Sequence, residues 1–279
     1  SDRVYQRVFA EETNLRCTLL LDCSASMRYT GDPQRPTKLA YSRVLAACLA
    51  YLLLRQNDAV GLLAFDEQPL LRVPARSVRR QLFEVLSGLR SAPEGKGTSL
   101  GPVLHEVAER IPRRGLVVLL SDLMDDPDTV LSGLKHFRHR GHELLVLQVL
   151  DPREVDLDYP GEVEFTSLEE PDLRVRTEPA HVQLGYRERF EAWRARLRHE
   201  CRRHLVDLVE LGTDQPVGAA LGAYLMKHRL CAVQFIETVR GDPKDPATKT
   251  LTIDEIQDLY ERYYPMVEYQ SKQIFEDFG

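Results

Sequence analysis

Five apolar runs, each ending in a polar or acidic residue, limit what this chain can fold into more than any other feature. They are Leu15 to Asp22, Ala59 to Asp66, Leu116 to Asp122, Leu144 to Asp151 and His204 to Thr213. A strand with one wet face alternates apolar and polar residues. Near-continuous apolar strands belong to a sheet covered on both faces. Helical patterns lie between these runs. Thr37 to Arg55 puts Leu39, Ser42, Leu45, Ala46, Leu49, Leu52 and Leu53 on one side, and Val78 to Leu89, Gly101 to Ile111 and Asp128 to Arg140 repeat the pattern more briefly. This alternation predicts an α/β protein with a doubly wound, mostly parallel sheet. Pro69 to Pro74 reads as a short edge strand, where proline is tolerable.

One excursion breaks the alternation. Glu162 to Leu168 and Leu173 to Thr177 flank Glu-Glu-Pro-Asp and predict a hairpin. A basic helix is expected from Gly185 to His204, with Tyr186, Phe190, Trp193, Leu197 and Cys201 forming one apolar stripe. Its arginines are interleaved with glutamates, which suits a solvated outer face better than an anion-binding surface. A further helical face runs from Val217 to Val239 and closes at Gly241. Thr252 and Glu255 then form a capping-box pattern for another helix, which Pro265 should kink. We therefore divide the chain into residues 1–240 and a helical C-terminal extension, residues 241–279. The stretch from Leu230 onward carries ten Asp/Glu against five Lys/Arg.

Composition excludes several classes. With 279 residues, 43% hydrophobic and 29% charged, the chain can bury a core. A net charge of −6 gives no support for nucleic-acid binding. Five scattered cysteines without a C-x-x-C pair argue against a disulfide framework or structural zinc. No apolar run reaches the roughly 18 residues of a membrane span. Ser1-Asp2-Arg3 shows neither an initiator Met nor a charged-then-apolar leader, so a processed or trimmed cytoplasmic chain is expected.

The chemistry concentrates after the first strand, in Asp22-Cys-Ser24-Ala-Ser26. An acid and two hydroxyls at alternate positions can converge from one loop. They offer only hard oxygen ligands, which suit Mg²⁺ or Mn²⁺ rather than zinc or copper. Three oxygens do not complete an octahedron, so further donors must come from other loops. Gly97-Thr98-Ser99-Leu100, in a glycine-rich connection, and Ser121-Asp122, ending an apolar strand, are placed to supply them. Each of these residues taken singly would read as a helix cap. Asp125 and Asp126 are expected to start the helix near Pro127.

Asp22-x-Ser24-x-Ser26 with Thr98 and Asp122 resembles the metal-ion-dependent adhesion site of von Willebrand factor A-like domains. Glu11-Glu-Thr-Asn-Leu15 followed by Leu-Leu-Leu-Asp22 is similar, more narrowly, to the bacterial domain-of-unknown-function family numbered fifty-eight, which is associated with MoxR-type AAA+ ATPases. The resemblance covers about residues 3 to 229. It implies a Rossmann-like sheet with a metal at its top, held by the hydroxyls of Ser24, Ser26 and Thr98, with Asp22 and Asp122 binding directly or through water. It also implies a protein partner that presents an Asp or Glu to the ion, and an adaptor role for a MoxR-type ATPase or its client. Asp32 to Thr37, Glu67-Gln68 and Glu94 to Gly97 are expected to form the rim.

Two other classes remain open. A Mg²⁺-dependent hydrolase could use the same ion, with Asp66 or Asp125 as its base. A structural module could instead act through the C-terminal helices. Other catalytic signatures are missing: Cys23 and Arg28 have four residues between them where a cysteine phosphatase needs five, and neither a G-x-S-x-G elbow nor a Walker A sequence occurs. His136, His139 and His142 are expected at the surface of a basic helix end. Cys23 is expected to serve packing.

Overall fold

The computed structural model describes residues 15–218, apart from 96, 98, 99 and 169–171. Thr98, the helix predicted to Gly241, and the extension 241–279 lie outside the described residues. In chain order the elements are β1 (Arg16–Asp22), a 3-10 turn (Ala25–Arg28), α1 (Lys38–Arg55), β2 (Ala59–Phe65), β3 (Pro69–Arg76), α2 (Gln81–Ser91) and α3 (Leu100–Arg110). They continue with β4 (Leu116–Ser121), α4 (Pro127–His139), β5 (Glu143–Leu150), α5 (Pro152–Asp156), β6 (Val163–Thr166), β7 (Arg174–Thr177), α6 (Pro179–Arg203) and β8 (Asp207–Gly212).

Six strands form one sheet in the order β3-β2-β1-β4-β5-β8. All pairings are parallel except that of β3, an antiparallel edge strand on β2. Successive side chains of a strand point to opposite faces. Leu19 and Leu21 therefore join a core with α1 and α2, while Leu20 joins a second core with α3, α4 and α6. Both faces are dry, and so the strand runs are apolar throughout. The helix α1 is buried almost all round, as a helix with apolar residues on every side must be. Its N-terminus is capped by the Thr37 hydroxyl, which accepts the Ala40 N–H at 3.1 Å. On the other face α3 and α4 approach closely: a Cβ added at Gly133 would lie 2.7 Å from Leu104 Cβ.

The predicted hairpin is present as the separate two-stranded pair β6–β7. Two expectations need correction. First, α6 begins at Pro179, six residues before Gly185, because a proline at the first helical position is preset for the helix although the apolar stripe starts later. Its outer arginines are paired, Arg194 and Arg198 with Glu210 at 3.0 and 3.3 Å. Second, His142 is not a surface residue but is 1% exposed. Its backbone N–H donates to the Phe137 carbonyl, closing α4 into β5 and folding the ring against Phe137.

Candidate metal centre

The strand order places a topological switch at β1. The chain runs outward through β2 and β3, then returns to β4 on the other side of β1. At such a point the loops leaving adjacent strands diverge and open a crevice at their carboxyl ends. Asp22 ends β1, and Ser121 ends β4 with Asp122 directly after it.

A hydrogen bond crosses this crevice, the Ser121 hydroxyl donating to Asp22 Oδ2 at 2.6 Å. The other oxygen, Oδ1, accepts the Ser24 N–H at 2.9 Å, which curls the loop back toward the strand end. The curl brings the Ser24 and Ser26 hydroxyl oxygens to 3.2 Å from each other. Neighbouring ligands of an octahedral Mg²⁺ with bonds near 2.1 Å sit about 3 Å apart, so the two hydroxyls already have the spacing of adjacent donors. Asp22, Ser24 and Asp122 are buried, whereas Ser26 is half-buried. Burial, reinforced by the Asp122 carboxylate, pushes the Asp22 carboxyl up to about 6, against the pull of its hydrogen bonds from Ser121 and Ser24. Two carboxylates facing one crevice favour a cation between them.

One cation there belongs to the chain. Lys38, the first residue of α1, is fully buried, and its ammonium contacts Asp122 Oδ2 at 2.7 Å and Glu154 Oε1 of α5 at 2.5 Å. Burial works against the ammonium, but Asp122 and Glu154 outweigh it and hold its pKa above the usual lysine value. Asp122 Oδ1 meanwhile accepts the Met124 N–H at 3.0 Å, and the Asp122 carbonyl accepts from the Gln148 amide at 3.0 Å. Both oxygens of the Asp122 carboxylate are thus engaged within the protein.

Residues 1–200 match the family model described as protein of unknown function DUF58. The chain belongs to the DUF58 family. Among its relatives are uncharacterized proteins of Mycobacterium bovis and Mycobacterium tuberculosis, each 26% identical over 212 residues, which is 75% of this chain and 66% of theirs. The chain thus spans just under two thirds of the length of those relatives. An uncharacterized protein of Mycobacterium avium is 30% identical over 147 residues, 52% of this chain and 86% of its own. Two solved structures are similar in fold. BatB of Bacteroides thetaiotaomicron has a TM-score of 0.50 at 16% identity, covering 77% of this chain and 98% of its own. An aerotolerance-related membrane protein of Bacteroides fragilis has a TM-score of 0.52 at 16% identity, covering 77% and 99%. In this DUF58 chain no helix among the described residues is long and apolar enough to cross a membrane.

Of the five residues singled out in the DUF58 sequence, Asp22, Ser24, Ser26 and Asp122 lie at the adjacent ends of β1 and β4; Thr98 is outside the described residues. Among the described residues no three His, Cys, Asp or Glu side chains cluster to hold an ion, so any metal here would depend on hydroxyl oxygens. Asp126 caps α4 through the Asp128 and Thr129 N–H groups. Asp125 accepts the Leu100 N–H at 2.8 Å and ties the start of α3 to the site. Asp66 accepts the Gln68 N–H at 3.0 Å. Both carboxylates that a hydrolase would enlist as base are therefore engaged as turn or helix caps. The Cys23 side chain is fully buried, and burial pushes its thiol up to about 12, which suits packing.

Sequence reasoning missed Lys38 and Glu154. A lysine in the first turn of a helix opposes the helix dipole only weakly and is at home in solvent, so nothing at Thr37-Lys38 marked it as buried. Asp151-Pro-Arg-Glu154 carries the spacing of a capping box, and the structure forms it.

Proposed function

We propose that this DUF58 chain is a von Willebrand factor A-like module with a Rossmann-like, doubly wound sheet that binds a protein partner through a divalent cation. The ion, Mg²⁺ or Mn²⁺, would be held by Ser24, Ser26 and Thr98, with Asp22 and Asp122 acting through water or directly. Hydroxyl donors neutralise little of the ion's charge, which leaves it attractive to an Asp or Glu side chain of the partner. The observation that carries this reading is the 3.2 Å pair of serine hydroxyls beside the Asp22 carboxylate, at the switch point of the sheet. A MoxR-type AAA+ ATPase, or a client of one, is the partner class suggested by the family resemblance.

The test uses Mn²⁺ as its own probe. Electron paramagnetic resonance titration should show one tight site in the wild-type chain, weakened at least tenfold in Asp22→Ala and Ser24→Ala, with circular dichroism unchanged. Equal Mn²⁺ binding by all three proteins would overturn the reading. A pull-down with Mg²⁺ and with EDTA, read by mass spectrometry, would then show whether capture follows the metal.

A further inference from the structure

We infer that His105 of α3 and His136 of α4 form a binding site for a late first-row transition ion, Cu²⁺ or Ni²⁺, where the two helices pack together. The site is separate from the oxygen-lined crevice and does not rest on the metal reading proposed there.

Two glycines bring the helices close enough for short side chains to meet. A Cβ added at Gly101 would lie 2.6 Å from Thr129 Cβ, and one added at Gly133 would lie 2.7 Å from Leu104 Cβ. Residues four apart share a helix face. His105 and Glu109 therefore follow Gly101 along α3, while Ser132, His136 and Arg140 form a second row along α4. The rows meet at the imidazoles, whose ring centres are 5.0 Å apart and whose Nδ1 atoms face each other at 2.8 Å. Both histidines are half-buried, so the rings are held by packing yet open to an ion from solvent.

Each outer nitrogen has a partner of its own. His136 Nε2 lies 2.8 Å from Glu109 Oε1, a contact that a carboxylate makes only with an N–H. A neutral His136 thus carries its proton at Nε2 and its lone pair at Nδ1, toward His105. A carboxylate on the far nitrogen is also the arrangement that orients a metal-binding histidine. His105 Nε2 lies 3.2 Å from the Ser132 hydroxyl. A hydroxyl accepts as readily as it donates. With Ser132 accepting, His105 holds its proton outward and presents a second lone pair at Nδ1, with no partner lost. The nearest cation, Arg140, is paired with Glu109 at 3.1 Å, so its charge is offset beside the site.

The spacing selects the ion. At metal–nitrogen bonds of about 2.0 Å, two donors at a right angle stand about 2.8 Å apart, whereas two at the tetrahedral angle stand about 3.3 Å apart. The 2.8 Å between the Nδ1 atoms matches the right angle, the geometry of Cu²⁺ and Ni²⁺ rather than of Zn²⁺. Imidazole donors also set this site apart from the hard-ion chemistry of the crevice. Among the described residues no third His, Cys, Asp or Glu joins as a donor, so water fills the remaining positions. A bound ion would clip α3 to α4.

The experiment titrates Cu²⁺ into the untagged full chain in excess Mg²⁺, which occupies oxygen sites, and reads the electron paramagnetic resonance spectrum. Wild type should show one tight site split by two nitrogens. His105→Gln and His136→Gln should each lose one nitrogen and bind at least tenfold more weakly, while His139→Gln, exposed on the same helix, should match wild type. Ni²⁺ should raise the melting temperature of wild type and of His139→Gln but not of the other two variants. Glu109→Gln keeps both rings and removes only the carboxylate behind His136. It should retain the two-nitrogen spectrum with affinity about tenfold lower, and it decides the matter should the histidine variants melt early in EDTA. A wild-type spectrum with one nitrogen or none, or equal Cu²⁺ affinity in wild type and either of those histidine variants, would overturn the site. So would unchanged affinity in Glu109→Gln where the histidine variants fail to fold.

Discussion

Replacing Lys38 by Met tests the electrostatics of the crevice most directly. The substitution keeps the aliphatic length and deletes only the ammonium. The structure sets the magnitude. Lys38 is fully buried, Asp122 is 1% exposed, and the Asp122 and Glu154 carboxylates both meet this one cation. Removing one partner of a buried ion pair costs about 3 to 5 kcal/mol, because the remaining charge is stranded in a poorly solvated place. Here two carboxylates lose their partner, although Asp122 keeps the Met124 N–H and Glu154 keeps the Asp151 N–H. We therefore expect about 4 kcal/mol of destabilisation in EDTA at pH 7.5. With a urea dependence of about 2 kcal/mol per molar, that moves the midpoint down by about 2 M. Fluorescence of the single tryptophan, Trp193, which is packed against the second core, reports the transition. Glu154→Gln in the Lys38→Met background should recover part of the loss, because one stranded charge is gone. A midpoint within 0.5 M of wild type (roughly 1 kcal/mol at that urea dependence) would refute the account of Lys38 as the ion that makes burial of Asp122 tolerable.

Two further outcomes follow from the packing. Burial holds the pKa of His142 below its ordinary value, so the unfolded chain takes up its proton first as pH falls through about 6.5, and the native state loses stability from there downward. Urea melts of wild type and His142→Gln between pH 7.5 and 5 should diverge with acidification, wild type falling faster; parallel curves would disprove this. Gly133→Val should cost about 1 to 3 kcal/mol by overpacking against Leu104, and an unchanged melting temperature would show that α3 and α4 are not in firm contact.

The sheet was legible in the sequence because each buried strand must be apolar on both faces, and that leaves runs such as Leu116 to Leu120 with no other reading. The loop after β1 was legible because its polar residues stand at fixed short spacing behind such a run. Partnerships distant in sequence were not. Lys38 and Glu154 are 116 residues apart, and nothing in either neighbourhood names the other. The helix α5 has only five residues, too few to show a helical period, so the capping-box spacing of Asp151 and Glu154 was the one mark of the element that carries Glu154. His142 was misjudged because a histidine after Arg138, His139 and Arg140 continues a basic helix end in sequence, while in space the chain has already turned inward at Gly141, where φ is +81°.

Among the described residues β3 forms one border of the sheet. An open sheet border is a template on which a second chain can add a strand. Along β3 the exposed positions are Arg72, Pro74 and Arg76. Proline withholds a donor from any would-be partner strand, and the guanidinium groups repel an identical border approaching in register. Concentrated preparations should therefore resist intermolecular β-aggregation along this border, and exchanging Arg72 and Arg76 for threonine should bring on thioflavin-positive association that the natural border holds off.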